Sequence, residues 1–167
     1  MGYDPRGIAN YLLDYADKKS RPVTHMALQK ILYFCHGWFL AKHNKPLLSE
    51  PAEAWSHGPV YKSVYRSFKA AKRESISFRA KALNFGSGKS EIVVSPLDEE
   101  ASQFIENIFD VYSQYTAAQL RNMTHEIDGP WHQVCEKAKG KAVPGMRIPD
   151  ALIRHCFLEG KTGLTQQ

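Results

Sequence analysis

Apolar residues recur along most of this chain at the spacing of amphipathic helices. Asp4-Pro5 has the pattern of an N-cap followed by proline in the first helical turn. The apolar residues after it fall at i, i+3, i+4 and i+7, which predicts a first helix. Thr24 is the expected cap of a second helix that runs to about Lys42 and is apolar on most of its sides. A helix without a broad polar face belongs inside a domain, so this segment is the predicted core helix.

Further helices are predicted downstream by the same periodicity and by their capping signals. Asp98 is followed by acidic residues where the helix dipole favours them, and Thr116 and Gln119 have the spacing of a capping box. Asp128 is the expected cap of another helix, with Gly129-Pro130-Trp131 as its first turn. The remaining helical segments are a basic helix over 59–73 and a last helix from Pro149 to Glu159.

Short extended segments are predicted at "AEAW" (52–55), "SISF" (75–78) and "EIVV" (91–94). The predicted fold class is therefore α+β, mainly α: a central hydrophobic helix surrounded by about five or six helices, with a small antiparallel sheet. The length of 167 residues suits one domain, which we assign to 1–159. Residues 160–167 are expected to form a disordered polar tail.

The composition is that of an ordinary globular protein, with 43% hydrophobic and 23% charged residues. The three cysteines are far apart and form no C-x-x-C pair, which argues against a disulfide framework or a zinc ribbon. The N-terminal segment lacks the pattern of a signal peptide, and the longest apolar run is too short for a bilayer span. A cytoplasmic protein without membrane contact is expected.

Charge is distributed unevenly along the chain, although the net charge is only +5. Residues 57–81 contain seven Lys or Arg against Glu74 alone, a local net of +6, and we call them the basic block. Residues 91–120 contain six Asp or Glu and no Lys or Arg, a local net of −6, and form the acidic block. Whether the two blocks neutralise each other depends on the fold.

The sequence offers no convincing metal or thiol chemistry. There are seven histidines, but none stands in a local cluster of the three convergent ligands that catalytic zinc needs. Cys35 and His36 are helix neighbours and point in different directions. "GSGKS" lacks the upstream glycine of a phosphate-binding loop. We predict no metal, no cofactor and no catalytic residue.

Two segments bring a histidine close to a Gly-Pro pair and a tryptophan: "WSHGPV" (55–60) and "THEIDGPWH" (124–132). The favoured interpretation is that both are helix-initiating turns whose His and Trp side chains brace the fold. The alternative is a binding surface formed where they meet. A hydrolase that uses His125 or His57 is a further alternative.

Lys62, Arg66, Lys69 and Arg73 are spaced to form one line on the basic helix, which we call the basic stripe; Tyr61 and Tyr65 flank it. Such a line is a solvated face, or it contacts an acidic protein or a nucleic acid. Nucleic acid is disfavoured because nothing resembles a recognition helix. A second candidate is a pocket floor in the core helix. It consists of a polar line at i, i+4 and i+7 formed by Gln29, Tyr33 and His36.

An ordered series of motifs resembles the Panacea domain of the SocA-like antitoxins, also described as phage-associated GepA-like proteins. The series begins with Leu-Gln-Lys at 28–30, continues through "HGW" and "WSHGPV", and ends with Met-Thr-His-x-x-x-Gly-Pro-Trp and "IPDALIRHCF". It extends over residues 5–158. The positions that match the family motif as a shared structural or binding surface are Trp55, Gly58, Pro59, His125, Gly129, Pro130 and Trp131, and His57 lies among them.

The resemblance implies a non-enzymatic protein that binds and neutralises a cognate toxin. One branch of the family acts as a proteolytic adaptor that delivers its toxin to a Clp-type protease. Direct complex formation with the toxin does not depend on this adaptor role, and it is the mode of neutralisation that we expect. The family motif defines no catalytic residues.

Overall fold

The central helix of the fold runs from His25 to His43, and other elements pack around it. The computed structural model describes residues 2–141 and 145–163. Their helices are α1 (Pro5–Lys18), α2 (His25–His43), α3 (Lys62–Phe68), α4 (Glu99–Tyr112), α5 (Ala117–Thr124), α6 (Pro130–Lys137) and α7 (Asp150–Leu158). Their strands are β1 (Ala52–Trp55), β2 (Gly58–Val60), β3 (Lys81–Asn84), β4 (Lys89–Ile92) and β5 (Arg147–Ile148). The predicted class, α+β and mainly α, is confirmed.

Side-chain caps begin four of these helices at the residues that the sequence indicates. Asp4 accepts the backbone N–H of Arg6, and Thr24 accepts that of Ala27. Asp98 caps α4 in the same way, and Thr116 with Gln119 forms both halves of the capping box of α5. Each bond satisfies a backbone donor that the first helical turn leaves without a partner.

The core is built on both sides of α2. The ring of Phe34 stacks on that of Tyr112 from α4, with a centroid distance of 4.1 Å. On the side of α7, a Cβ added at Gly37 would stand 2.3 Å from the ring of Phe157, so only glycine admits α7 at this distance. The core is therefore close-packed where α4 and α7 approach α2.

The small sheet differs from the predicted one. It has the strand order β2-β1-β5, and β1 pairs antiparallel with both neighbours. The segment "SISF" (75–78) is not a strand, and only Ser75 forms an isolated bridge, to Thr24. Residues 91–92 of "EIVV" belong to β4, which pairs with β3 in a separate hairpin. The prediction of one sheet from these three segments was wrong because alternation identifies extended residues but not their partners.

The two Gly-Pro pairs also lie in different structures. Pro59 is in β2 and not in a helix: it faces Ala54 across the ladder, and α3 begins three residues later. An edge strand tolerates a residue without an N–H. Gly129-Pro130 does begin α6, but the cap residue is Gly129. The predicted cap, Asp128, has a left-handed φ of 61° and does not cap the helix.

Residues 160–163 of the predicted tail are described, whereas 164–167 lie outside the described residues. Thr162 is buried, and the backbone of Met123 stands next to Gly163. The boundary at residue 159 stays a prediction. Within 2–141 and 145–163, no helix is both long and apolar enough to cross a membrane.

Candidate functional site

The two His–Gly-Pro segments meet in the folded chain. The indole N–H of Trp131 donates to the backbone carbonyl of Trp55, with an N–O distance of 2.8 Å. Arg121, at the end of α5, donates from Nε to Nδ1 of His57 over 3.3 Å. We call residues 55–59 together with 124–131 the turn junction. The two turns therefore lie side by side.

Two consecutive polar residues of helix α2 bind the backbone at Pro59 in the turn junction and at Tyr61 just after it. The Oε1 atom of Gln29 accepts the backbone N–H of Tyr61, and its Nε2 donates to the carbonyl of the same residue, at 2.9 and 3.1 Å. Lys30, only 1% exposed, donates from Nζ to the carbonyl of Pro59 at 2.9 Å. Buried amide and ammonium groups require such partners, so these bonds fix the path of the chain after β1.

Gly58 is required where Lys30 passes the turn junction. Its φ is +107°, a conformation that residues with a side chain rarely adopt. A Cβ at this position would stand 2.6 Å from Oγ1 of Thr124 and 3.1 Å from Nζ of Lys30. The glycine thus allows a strand, a helix end and a buried ammonium group to converge.

His125 lies flat on Trp131, with ring centroids 3.8 Å apart and planes within 6°. Burial lowers the pKa of His125 to about 4, and the nearby charges of Arg121 and Lys30 act in the same direction. Its buried Nε2 has no hydrogen-bond partner among the described residues. Neutral imidazole stacked on indole braces the turn, and such a low pKa makes it a weak general base at neutral pH.

Lys30 carries a buried amino group. Burial lowers its pKa to about 7, and the charge of Arg121 contributes. No carboxylate among the described residues pairs with it, and its hydrogen-bond partner there is the carbonyl of Pro59. Strongly perturbed groups in clefts mark candidate functional sites. Sequence reasoning did not select Lys30, although a lysine inside the most apolar helix was the available signal.

A cavity of about 190 Å³ opens beside the turn junction. Trp55 and Tyr65 form its aromatic walls, with centroids 4.8 Å apart. The buried residue Lys30 lines it, as do His25 and Lys72. The sequence pattern indicated the aromatic residues but did not indicate that they enclose space, because Trp55 and Tyr65 belong to different elements.

The predicted pocket floor of Gln29, Tyr33 and His36 was wrong as a unit. Gln29 lines the cavity, but Tyr33 is buried in the core. His36 accepts the backbone N–H of Leu48 at Nδ1 and lies 2.9 Å from the carboxylate of Asp150 at Nε2. Seven residues of helix advance about 10 Å, so the three side chains serve different neighbours.

The basic stripe is only partly continuous. Arg66 and Lys69 are exposed, but α3 ends at Phe68 and Lys72 has a left-handed φ of 54°, so Arg73 leaves the line of Lys62. Of the flanking tyrosines, Tyr65 is 36% exposed. Tyr61 is fully buried and does not reach the surface, because the side chain of Gln29 hydrogen-bonds its backbone and holds it against α2.

The two charged blocks do not neutralise each other among the described residues. Arg79 of the basic block pairs with Asp14 and Asp17 of α1, outside the acidic block. The acidic block instead accepts hydroxyl hydrogens from α1, from Tyr11 to Glu106 and from Tyr15 to Asp110. The four side chains of the basic stripe, in contrast to Arg79, make no ion pair with any described residue.

The geometry offers little to hydrolytic chemistry. Cys35, Cys135 and Cys156 are all buried, and burial raises the pKa of each thiol. A thiol with a raised pKa is a poor nucleophile. In the part of the chain that the structure describes, no three His, Cys, Asp or Glu side chains are grouped to hold a metal ion.

Comparison with known proteins identifies the family. The model of the antitoxin SocA-like Panacea domain matches residues 28–132. The chain belongs to this family of SocA-like antitoxins. Antitoxin SocA from Caulobacter vibrioides (strain NA1000 / CB15N) is 37% identical over 154 residues, which are 92% of this chain and 82% of that protein. No solved structure matches the chain. The matched segment begins two residues before Lys30 and ends just after the turn junction, so it contains both, whereas His25 and Met26 of the cavity lining precede it.

Proposed function

We propose that this chain is an antitoxin that neutralises a cognate toxin protein by forming a direct complex with it in the cytoplasm. Membership of an antitoxin family supports the general role. The observation that carries the proposed mode of action is the basic stripe, whose members Arg66, Lys69 and Arg73 are exposed and make no ion pair with any described residue. An acidic surface of the partner complements them and speeds association.

The test is co-expression of this chain with the toxic product of a neighbouring gene. Growth rescue and co-purification are expected for the natural chain. The double change Arg66→Glu and Lys69→Glu should abolish both, because it turns attraction into repulsion at an exposed face. Thermal stability should stay unchanged. If neither rescue nor co-purification occurs with the natural chain, direct neutralisation is refuted.

A matched control separates local contact from net charge. Lys18→Glu with Lys137→Glu also lowers the net charge by four units, at two exposed positions on other helices. This control should retain rescue and co-purification. Equal loss in both double variants would show that overall charge, and not the basic stripe, governs the complex.

Delivery of the toxin to a Clp-type protease stays a prediction of the family resemblance. Under the proposed mode, rescue persists in cells that lack the protease, because binding alone blocks the toxin. Rescue that depends on the protease would instead favour the adaptor role. A nucleic-acid ligand of the same stripe predicts affinity that falls steeply with salt, which a titration with DNA and RNA measures.

A further inference from the structure

The cavity beside the turn junction has the construction of a recognition site for one small group. Its volume of about 190 Å³ is below that of most small-molecule pockets and suits a single side chain. Trp55, Tyr65, Met26 and Val60 provide apolar and aromatic surface. An aromatic or aliphatic group therefore gains contact area along the walls.

Part of the cavity lining is polar and positively charged. The ammonium group of Lys30 has three N–H donors, and one is used by the carbonyl of Pro59. Nε2 of His25, a residue 8% exposed, is buried and has no partner in the described residues. Lys72 adds an exposed cation to the lining, which contains no Asp or Glu. An anion bound here would pair with the ammonium form of Lys30 and accept its unused N–H donors.

The position of the cavity indicates what supplies that anion. Tyr65 and Lys72 line it, and between them on the chain lie Arg66 and Lys69 of the basic stripe. The surface around the cavity thus shares the positive charge of the proposed partner face. A partner that is acidic enough for the stripe would bring carboxylates next to the cavity.

We propose that this cavity binds a carboxylate attached to an apolar group, and that an acidic segment of the partner protein supplies it. The second half rests on the proposed antitoxin function. The carboxylate takes the free donors of Lys30, and the apolar part contacts the surface formed by Met26, Val60 and the ring of Tyr65. Gln29 takes no part, because Tyr61 already occupies both ends of its amide.

The first experiment uses the full chain and a probe pair, phenylpropionate and phenylpropionamide, followed by NMR at the Trp55 indole N–H. The acid should shift this signal saturably with a dissociation constant on the order of millimolar. The neutral amide should bind at least about tenfold more weakly, because it cannot pair with a buried ammonium group. Equal binding of acid and amide, or no saturable shift, overturns the assignment.

Two variants locate the binding. Lys30→Met should remove the preference for the acid over the amide, with folding checked by circular dichroism. Because this variant also loses the bond to Pro59, Met26→Trp provides a second approach: Met26 is 38% exposed, and a larger ring there blocks the cavity without entering the core. Met26→Trp should abolish binding of both probes. Unchanged binding in Met26→Trp would place the probe elsewhere and refute the site.

The part of the proposal that concerns the partner protein is tested separately, with the co-purified complex. Met26→Trp should weaken the complex roughly tenfold, and bound partner should prevent the phenylpropionate shift. If the probe results hold while the complex is unaffected, the partner half is refuted and the ligand is a free carboxylate. If the natural chain forms no complex at all, the proposed function fails, while the probe results still decide whether the carboxylate site exists.

Discussion

The turn junction and the β3–β4 hairpin are built in opposite ways. In the turn junction, a strand, two helix ends and a lysine from α2 converge, and hydrogen bonds join residues up to 76 positions apart. The hairpin is held by its own ladder, and Asn10 binds its base through both the N–H and the carbonyl of Ala80 and the carbonyl of Val93. One region buries charge, and the other exposes apolar side chains, including Phe85 at 91%.

Each region departs from the usual distribution of polar and apolar groups in its own direction. Buried lysines are rare unless paired, and exposed apolar clusters on a protein surface mark contact sites. At the turn junction, many long-range contacts hold the buried lysine and its surroundings in place, so substitutions there should affect the whole fold. At the hairpin, few contacts hold the exposed apolar side chains, so substitutions there should have only local effects.

The largest difference is expected between two glycines with positive φ. Gly58→Ala should lower the free energy of unfolding by about 2–4 kcal/mol, because backbone strain adds to the collision with Thr124 and Lys30. Gly88→Ala, in the hairpin turn, should cost only about 1 kcal/mol, since its φ is +69° but its Cβ would meet open space. Urea unfolding of both variants measures this. Equal costs would mean that the turn junction is not tightly packed.

The second prediction concerns the charge buried beneath the turn junction. Because burial lowers the pKa of Lys30 to about 7 from 10.5, the unfolded chain binds more protons above pH 7, and stability rises with pH through this window. The rise from about pH 7 to about pH 9 should be about 2 kcal/mol. Lys30→Met should remove it, as urea titrations at several pH values measure. The same slope in the variant would show that Lys30 is not the responsible group.

How much of this contrast the sequence could predict depends on the range of the contacts. Asp4, Thr24, Asp98 and Thr116 cap helices through residues two or three positions away, so local patterns located those helix starts. A Gly-Pro pair is ambiguous: a proline after glycine suits an edge strand as well as a helix start. Only pairing with β1 assigns Pro59 to a strand, and that pairing is not visible in its neighbours.

The candidate site shows the same limit. Trp55 and Tyr65 stand out in the sequence through the Gly-Pro motif and the basic stripe, but both line one cavity only because the ring of Trp55 in β1 lies against that of Tyr65 in α3. Lys30 bonds to a carbonyl 29 residues away, and helical periodicity cannot identify that carbonyl. The predicted pocket floor of Gln29, Tyr33 and His36 was wrong for the complementary reason. Side chains along one face of a helix contact several different elements, so their spacing does not place them in one pocket.

The third prediction concerns His125, at the opposite side of the turn junction. Its pKa is lowered to about 4 from 6.5, so the unfolded chain binds more protons between these values and stability falls as the pH drops through them. After discounting for solvent screening, the loss should be about 1 kcal/mol. His125→Phe keeps the ring stack on Trp131 and should lose this acid dependence. Thermal unfolding between pH 4 and 7 tests it, and an unchanged profile would contradict it.

The smallest effect is expected at the hairpin tip. Phe85→Ser should change the free energy of unfolding by less than about 0.5 kcal/mol, because a ring that is 91% exposed loses little contact. Leu13→Ser, a core position 2% exposed, is the contrasting control and should be strongly destabilising. Chemical unfolding compares the two. A large loss in Phe85→Ser would mean that the hairpin packs on a surface that it does not touch in this structure. If stability is unchanged while the toxin complex weakens, the hairpin's apolar side chains belong to the partner surface together with the basic stripe.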